Sequence, residues 1–447
     1  MHTMSGSLRR LLARPLARRH LLRLLLAGSM GALWPRVSRA AAYRVGVGKS
    51  NDPYTAAWRA LIASGEWPGA ALAGRTVIIK PNLVMKRTPQ TGIVTDPQVV
   101  RAVVDLALTA GALRVLIVEG AQGGGNFAAC GYSFFADYGP SGRVALVNLD
   151  EQPNLLVDVP DGLAYRQLYL PALLRDEGTF RISIGKLKTH MESLVSLSMK
   201  NLFGLPPQML YMNSSLLARF AMHDRGLHQT ILDLNLVWPI DYALVDGVWG
   251  LEGNGPLQGT PVRMDLVVAG RNALAVDRVC LQIMGIAQDA VQHLTYAAQR
   301  GLGPADLTAI TVAGDPLTPR PFVLPIVPPT IDAVQARPAS FAPAMGQTTE
   351  ISYTVDRACQ TLVEIARASE TSPQITRVRL LRDWDDQPAG PRTLSWDGRD
   401  DAGQIVLAGE YAINVHATGG ETANNHGHAT GWVRVRRGTV HLPLMSR

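Results

Sequence analysis

Cysteine is scarce in this sequence, and its three cysteines are scattered. Cys130, Cys280 and Cys359 form no Cys-x-x-Cys motif. Cysteine-ligated zinc and iron–sulfur sites need clustered thiolates, so the sequence argues against either kind of site within this chain. One disulfide is compatible with an oxidising compartment and would leave one cysteine over, whereas burial of all three as small apolar residues is the simpler interpretation.

Two motifs of common hydrolases are also missing. The sequence contains no Gly-x-Ser-x-Gly turn and no His-Glu-x-x-His motif. The α/β-hydrolases use the first to expose a serine nucleophile, and zinc peptidases use the second to bind their metal. The sequence therefore gives no support to these two classes of enzyme.

The excess of positive charge is confined to the N-terminus. The formal net charge of the chain is +7, but residues 1–42 contain eight arginines and no lysine, aspartate or glutamate, which leaves −1 for the remainder. Because the folded part has no global positive field, nucleic acid is not expected as a partner.

This arginine-rich N-terminus resembles a twin-arginine signal peptide. Arg18 and Arg19 precede leucines, and an apolar stretch follows at 24–34. The stretch is about half the roughly 20 residues that a membrane-spanning helix needs, and small residues at 38–42 fit a cleavage site. The resemblance implies export by the Tat translocase to the periplasm or beyond. A retained N-terminal membrane anchor is the alternative, because Arg36 and Arg39 are unusual near a cleavage site.

Short β-branched runs alternate with helical patterns after the signal. This alternation predicts an α/β domain over residues 43–315, with an open, mostly parallel sheet and helices on both faces. The predicted strands are 43–47, 75–80, 114–119, 144–148, 180–184, 242–246, 265–268 and 309–312. The predicted helices are 97–109, 216–223, 227–236, 273–284 and 289–300.

The amino-acid composition changes after the α/β pattern ends. Prolines crowd residues 316–344, which predicts a semi-rigid linker because proline has no N–H and restricts its predecessor. Alternating polar and apolar residues then predict a small all-β immunoglobulin-like sandwich at 345–437, followed by a tail at 438–447.

The C-terminal module has a specific pattern of aromatic and turn residues. The residues that carry it are Trp396, Asp397, Gly398, Asp401, Gly403, Gly409 and Tyr411. They resemble the immunoglobulin-like domain of the flagellar hook-capping protein FlgD, which implies an interaction or spacer module with an envelope protein as candidate partner. The carboxylates are interpreted as turn residues, with calcium binding as the alternative.

A series of short motifs runs through the α/β region. They include Lys80-Pro81-Asn82, Thr95-Asp96-Pro97, Lys186-Leu187-Lys188-Thr189-His190, Met199-Lys200-Asn201, Val245-Asp246-Gly247 and Glu252-Gly253-Asn254-Gly255. Their order and spacing resemble the domain-of-unknown-function family 362 over about residues 43–315. Some members of that family carry ferredoxin-like cysteine clusters, which this sequence lacks, so the resemblance implies no iron–sulfur role here.

Several of these charged residues follow the ends of predicted strands. Ligands of open α/β sheets bind outside the carboxyl ends of the strands, so we expect a cationic crevice for a phosphate or carboxylate ligand. The candidate ligand-binding residues are Lys80, Asn82, Thr95, Glu119, Lys186, Asn201, His228 and Gly255. The candidate catalytic residues are Lys188, His190, Lys200, Asp246 and Glu252.

The chemistry of this set leaves several roles open. His190, Asp246 and Glu252 offer ligands for a divalent metal, or a general acid and base, and a lysine crowded by lysines could act as base or nucleophile. Taken singly, each lysine is more often a surface charge and each histidine a structural residue, so the prediction depends on the set. The glycine-rich segments 119–126 and 249–256 are a candidate phosphate-binding turn and a candidate mobile lid.

We therefore expect an exported enzyme that acts on a small anionic substrate, with a metal as candidate cofactor. One alternative is a non-catalytic periplasmic binding or envelope-assembly protein, in which the sandwich docks to a partner. Another is a redox protein that binds a flavin or metal without cysteine ligands.

Overall fold

The fold is seen in a computed structural model, which describes residues 43–120, 126–140, 142–211, 219–326, 328–368, 375–419 and 426–437. The described residues from 43 to 437 belong to one compact unit. The predicted signal peptide at 1–42 and the tail at 438–447 lie outside the described residues.

The first eleven strands build the α/β part. They are β1 (Tyr43–Lys49), β2 (Thr76–Pro81), β3 (Arg114–Glu119), β4 (Val144–Asn148), β5 (Asn154–Asp158), β6 (Gln167–Pro171), β7 (Phe180–His190), β8 (Leu194–Val195), β9 (Tyr242–Glu252), β10 (Thr260–Gly270) and β11 (Ile310–Gly314). A central sheet has the order β11-β1-β10-β9-β7-β2-β3-β4, with β8 paired to the end of β7. Strands β5 and β6 form a separate hairpin.

Strand direction decides where the ends of the strands meet. Strand β10 is antiparallel to both of its neighbours, whereas β9, β7, β2, β3 and β4 are parallel to one another. Their carboxyl ends therefore share one edge of the sheet, which is where ligands bind in open α/β sheets. The predicted mostly parallel sheet is confirmed.

Helices cover both faces of this sheet. They are α1 (Pro53–Ser64), α2 (Pro97–Thr109), α3 (Asn126–Ala129), α4 (Leu197–Lys200), α5 (Phe220–Asp224), α6 (Leu227–Val237), α7 (Ala273–Met284) and α8 (Gln292–Gln299). Along β2, Val77 and Ile79 pack on the side of α1 and α2, and Ile78 packs on the opposite side. This alternation buries the strand on both faces, as its continuous apolar sequence predicts.

Local signals explain where the best-defined helices begin and end. Asp96 caps α2 by accepting a hydrogen bond from the Gln98 N–H, and Pro97 occupies the first turn. Asn272 caps α7 in the same way, and Gly285 ends it with a φ of 67°. The predicted helices 97–109 and 273–284 are confirmed to the residue, while residues 216–218 of the predicted helix 216–223 lie outside the described residues.

The proline-rich segment is ordered against the α/β part. The Arg320 and Phe322 N–H groups donate to the carbonyls of Ile283 and Met284, and Phe322 is buried in the core beside α7. We call residues 316–326 the strap. Residues 331–341 of the predicted linker form the first two strands of the C-terminal module, so that module begins earlier than the sequence pattern predicts.

Two sheets make up the C-terminal β domain. Its strands are β12 (Ile331–Arg337), β13 (Ser340–Phe341), β14 (Thr349–Val355), β15 (Cys359–Ala368), β16 (Ile375–Gln387), β17 (Gly390–Trp396), β18 (Gly409–Thr418) and β19 (His426–Val435). The sheets have the orders β12-β14-β17 and β13-β19-β18-β15-β16. Trp396 is 1% exposed and packs edge-on against Phe341 and Tyr411, so it fills the core as expected.

The cysteines and one C-terminal turn agree with the sequence analysis. All three cysteines are buried and unpaired, as their scattered positions suggest. The side chain of Asp400 accepts hydrogen bonds from the Ala402 and Gln404 N–H groups, which is turn chemistry. Within the described ranges, no helix has the length and apolarity needed to cross a membrane.

Candidate functional site

Two of the predicted site lysines are held by buried ion pairs, and the first joins β2 to β3. Lys80 Nζ lies 2.7 Å from Glu119 Oε1, and the two side chains are 1% and 5% exposed. Glu119 also accepts hydrogen bonds from the Leu83 and Gly120 N–H groups. Burial lowers the pKa of Lys80, and the Glu119 carboxylate offsets part of that shift. This pair leaves little capacity for a ligand.

The second buried pair joins β7 to β9. Lys186 Nζ lies 2.8 Å from Asp246 Oδ2, and both side chains are fully buried. Asp246 also accepts hydrogen bonds from the Asp96 N–H at 2.8 Å and the Val248 N–H at 2.9 Å. Its carboxylate is thus committed to protein donors and fixes the start of α2 against β9.

Lys188 is buried without a carboxylate. Its Nζ donates to the Ile93 carbonyl at 2.9 Å and to Asn82 Oδ1 at 3.1 Å, and the residue is 1% exposed. Across the described part of the chain, no carboxylate oxygen lies within ion-pair distance of it. Burial and then the neighbouring Lys200 and Lys186 lower its pKa well below the ordinary value.

The amide side chains and Thr95 hold Lys188 in place. Asn82 Nδ2 donates to Asn201 Oδ1 at 3.2 Å, and Asn201 Nδ2 donates to the Lys80 carbonyl at 2.8 Å. The Thr95 hydroxyl accepts from the Asn82 N–H and donates to the Ile184 carbonyl. Three sequence-predicted residues therefore form one network that links β2, β7 and the turn after α4.

Lys200 ends the short helix α4, half-buried beside this network. No described residue forms a hydrogen bond or ion pair with its Nζ, which lies 5.3 Å from the centre of the Phe203 ring. Burial lowers the pKa of Lys200 to about 8, against the opposing effect of Glu192. At neutral pH this side chain is a cation that gives up its proton readily.

A buried aspartate and a glycine position the helix that carries Lys200. Asp277 on α7 accepts hydrogen bonds from the Ser198 N–H, the Ser198 hydroxyl and the Met199 N–H at 2.6–2.9 Å. Burial raises the pKa of Asp277 to about 7 even though these donors oppose the shift. A Cβ on Gly185 would lie 2.2 Å from the Leu197 carbonyl oxygen, so β7 can approach α4 only with glycine there.

His190, at the end of β7, is a neutral hydrogen-bond donor. Its Nδ1 accepts from the Glu192 and Ser193 N–H groups at 3.2 and 3.4 Å, which places the ring proton on Nε2. Burial, with the nearby cation of Lys200, lowers the pKa of His190 well below its usual range. The ring therefore offers an N–H without a positive charge.

The structure adds Glu192 and His293, which the sequence did not single out, and His223, which was not among the predicted site residues. His223 Nδ1 lies 2.5 Å from Glu192 Oε2, and both side chains are 15% exposed. The His223 imidazole holds the pKa of Glu192 at about 2, although burial acts in the opposite direction. His228 Nδ1 lies 2.9 Å from Nδ1 of the buried His293, with the rings stacked.

The pair on α6 and α8 is also neutral. The His293 N–H donates to His228 Nδ1, so that nitrogen is the acceptor and the ring proton of His228 is on Nε2. Burial and then Lys200 lower the pKa of His228 to about 4. His228 and His223 belong to different helices because Gly226, with a φ of 96°, separates α5 from α6.

Glu252 and Gly255 take structural positions. Glu252 forms a two-pronged ion pair with Arg320 of the strap, at 2.8 and 3.2 Å, and accepts from the Val323 N–H. The hydrogen bonds to Arg320 lower its pKa. The Gly255 carbonyl accepts from the Met191 N–H, and a Cβ there would lie 2.0 Å from the Thr189 carbonyl oxygen. The predicted mobile lid at 249–256 is instead strand β9 and a turn tied to the strap.

The structure does not bring His190, Asp246 and Glu252 together as metal ligands. In the described ranges, no group of three or more histidine, cysteine, aspartate or glutamate side chains is arranged to hold a metal ion. Asp246 is bound by Lys186, and Glu252 faces Arg320. Residues 121–125 of the glycine-rich turn lie outside the described residues, so the predicted phosphate binding by this turn stays a prediction.

One compositional signal could have singled out the site. The sequence contains only six lysines beside 37 arginines, and four of the six are Lys80, Lys186, Lys188 and Lys200. The chain places arginine almost everywhere that it needs a surface cation. Lysine, which carries a compact ammonium and can lose its proton, is instead concentrated on β2, on β7 and at the end of α4.

Comparison with known proteins agrees with the sequence motifs. The profile of the family described as "Domain of unknown function (DUF362)" matches residues 77–282, which contain all four site lysines. A thylakoid-associated protein of Synechocystis sp. is 27% identical over 242 residues, which cover 52% of this chain and 68% of that protein. The family match falls on the α/β part, and neither similarity identifies a ligand.

Similarity to solved structures adds nothing to the fold. A DNA glycosylase of Pseudomonas fluorescens has 13% identity and a TM-score of 0.16, covering 37% of this chain. A β-glucosidase of Erythrobacter marinus has 12% identity and a TM-score of 0.17, covering 88% of this chain. The alignments span 45% and 49% of those proteins, and such low scores carry no argument.

Proposed function

We propose that the edge of the sheet between β2 and β7 binds a small anion, a phosphate or a carboxylate, through Lys188 and Lys200. One observation carries the proposal. Of the four lysines, Lys80 and Lys186 each have a buried carboxylate within 2.8 Å, whereas Lys188 and Lys200 have none among the described residues. A buried lysine without a carboxylate is costly to protonate, and an anionic ligand would supply the missing negative charge.

Neutral donors beside the two lysines favour an oxyanion. His190 and His228 both carry their ring proton on Nε2, and no described residue accepts a hydrogen bond from either Nε2. Imidazoles that stay uncharged can donate to a ligand oxygen at neutral pH without adding to the repulsion between the lysines. The ligand would then receive charge from lysine and directed hydrogen bonds from histidine.

The Glu192–His223 pair supports an enzymatic role over simple binding. A carboxylate 2.5 Å from an imidazole nitrogen fixes the orientation of the ring, which is the arrangement of a general base. The pair lies close enough to His190 for His223 to influence its pKa. We assign proton transfer on the bound anion to this pair. Metal assistance by His190, Asp246 and Glu252 receives no support from the positions of these side chains.

The anion site can be tested by thermal unfolding in the presence of inorganic phosphate and of malonate. A ligand that binds the folded state raises its melting temperature. We expect this increase in the wild-type protein and its loss in Lys188→Met and Lys200→Met. Lys86→Met is the matched control, since Lys86 is an exposed lysine outside the site. An increase that persists in Lys188→Met would remove Lys188 from the site.

We also propose export through the Tat translocase, with the C-terminal β domain as the contact for an envelope partner. The support is the Arg18–Arg19 motif followed by an apolar stretch. Cell fractionation tests it. We expect the wild-type protein outside the cytoplasm, and we expect the variant in which Arg18 and Arg19 are both replaced by lysine to stay in the cytoplasm. Equal export of both forms would rule out the twin-arginine route.

A further inference from the structure

The choice of lysine over arginine at this site has a chemical meaning. Arginine stays protonated in proteins, whereas a buried lysine can become a neutral amine. The chain has 37 arginines to supply permanent charge, yet it places four of its six lysines here. A function that needs only positive charge would be served by either residue, while a function that needs an amine requires lysine.

We propose that Lys188 is a nucleophile that forms an imine with a 2-oxo acid, a ligand whose carbonyl group adjoins its carboxylate. This inference rests on the proposed anion site and specifies the ligand that the site accepts. Lys200 would bind the carboxylate, and Lys188 would react with the neighbouring carbonyl carbon.

The hydrogen bonds of Lys188 suit a neutral amine. A neutral amine has two N–H groups and one lone pair, and the Ile93 carbonyl and Asn82 Oδ1 accept one N–H each. The lone pair then remains for a carbon electrophile. In the ammonium form, the third N–H would have no acceptor among the described residues. Burial and the adjacent Lys200 also favour the neutral form, which is how amine nucleophiles are activated in enzymes.

The position of Lys188 is compatible with a ligand reaching it. Lys188 is itself 1% exposed, but its partner Asn82 and its neighbour Lys200 are both half-buried. Its amine is therefore hydrogen-bonded to a side chain that itself reaches the accessible surface. Such burial keeps water away from an imine once it has formed.

The proposed step balances without any further reagent. The Nζ lone pair attacks the carbonyl carbon, the π electrons move to oxygen, and transfer of one N–H proton to that oxygen gives a carbinolamine. The C–O bond then breaks, the hydroxyl leaves as water with the second proton from nitrogen, and the C=N bond forms. One amine and one carbonyl become one imine and one water. His190, two residues along β7, has its proton on Nε2 and is the candidate hydrogen-bond donor to the departing oxygen, while both protons of the water come from the lysine nitrogen.

Reductive trapping tests this inference on the full chain. The protein is incubated with pyruvate and sodium cyanoborohydride, which reduces an imine to a stable secondary amine, and modified lysines are located by peptide mass spectrometry. We expect saturable modification of Lys188, competed by inorganic phosphate. Exposed Lys86 is the internal control and is expected to react only in proportion to pyruvate, without competition. Lys188→Arg keeps the charge and is expected to abolish the specific adduct.

Each other outcome overturns a defined part of the account. Adducts on Lys200 in place of Lys188, or adducts spread evenly over Lys49 and Lys86, would refute the assignment of Lys188. Stabilisation by phosphate without any Lys188 adduct would refute the imine while leaving the anion site intact. Absence of both would refute the inference and the proposed function together. The wild-type mapping decides among these results even if the variant does not fold.

Discussion

The four site lysines form two pairs that differ in one respect. Lys80 and Lys186 each meet a buried carboxylate, and those carboxylates are further bound by backbone N–H groups. Lys188 and Lys200 meet amides, a carbonyl and an aromatic ring instead. The first pair connects neighbouring strands through ion pairs. The second pair has no carboxylate partner among the described residues. Residues with the same side chain thus form buried ion pairs within the fold in one case and, in our proposal, bind the ligand in the other.

The contrast shows what a buried lysine implies. A buried ammonium with a well-placed carboxylate is a structural element, and removal of either partner leaves an isolated charge. A buried lysine without a carboxylate has a depressed pKa and invites a ligand. The distinction depends on partners that only the assembled sheet provides.

The largest expected effect separates the two pairs by stability. Lys186→Met leaves Asp246 fully buried without its cation, so we expect it to lower the free energy of unfolding by about 3–5 kcal/mol. Lys188→Met leaves no carboxylate behind and is expected to change it by about 1 kcal/mol or less. Urea denaturation with a common slope measures both. Equal losses would show that the two lysines have the same structural role.

The next effect concerns pH. Lys200 has a folded-state pKa of about 8, below its ordinary 10.5, so its charged form costs stability below pH 8 and that cost disappears as the pH rises towards 10.5. Between about pH 8 and pH 10.5 the free protein should therefore become more stable as Lys200 loses its proton. Over the same pH range the stabilisation by phosphate should fade, because the neutral amine no longer attracts the anion. In Lys200→Arg the cation persists, and the phosphate effect should survive above pH 8. The measurement is the melting temperature of the wild type and of Lys200→Arg at a series of pH values, with and without phosphate. If the phosphate-induced increase fell with pH equally in both proteins, the role of Lys200 would be contradicted.

The smallest effect belongs to the strap. Arg320→Ala removes the ion pair with Glu252, whose arginine is 44% exposed, and is expected to cost about 1 kcal/mol or less. The phosphate-induced increase in melting temperature should be unchanged, because Glu252 serves the strap and not the lysines. If Arg320→Ala abolished the phosphate-induced increase in melting temperature, Glu252 would have to be counted among the residues that shape the anion site.

Much of the fold could be predicted from local sequence. Apolar and β-branched runs such as residues 76–79 mark buried strands, and all eight predicted strands of the central sheet are present. Cap residues such as Asp96 and Asn272 fix helix starts. The proline-rich strap was harder, since its burial depends on Phe322 meeting α7 and on Arg320 meeting Glu252. Those contacts are distant in sequence and leave no local pattern.

The site was predicted as a set but not as an arrangement. Lys186 and Asp246 pair because β7 lies beside β9, although the chain between them makes α4, α5 and α6. Glu192 and His293 were missed because each stands outside the strand-end motifs, and His223 was not predicted as a site residue because its partner Glu192 was missed. The scarcity of lysine beside abundant arginine was visible in the sequence, and it would have drawn attention to the four lysines of the candidate site.

The central claim is that Lys188 and Lys200 bind an anion and take up a proton in doing so. Isothermal titration of inorganic phosphate at about pH 8.5, in buffers of different ionisation enthalpy, measures that uptake directly. We expect saturable binding to the wild-type protein with net proton uptake, and binding with reduced proton uptake in Lys200→Arg, whose charge is permanent. Binding without proton uptake, or no binding to the wild-type protein, would contradict the account.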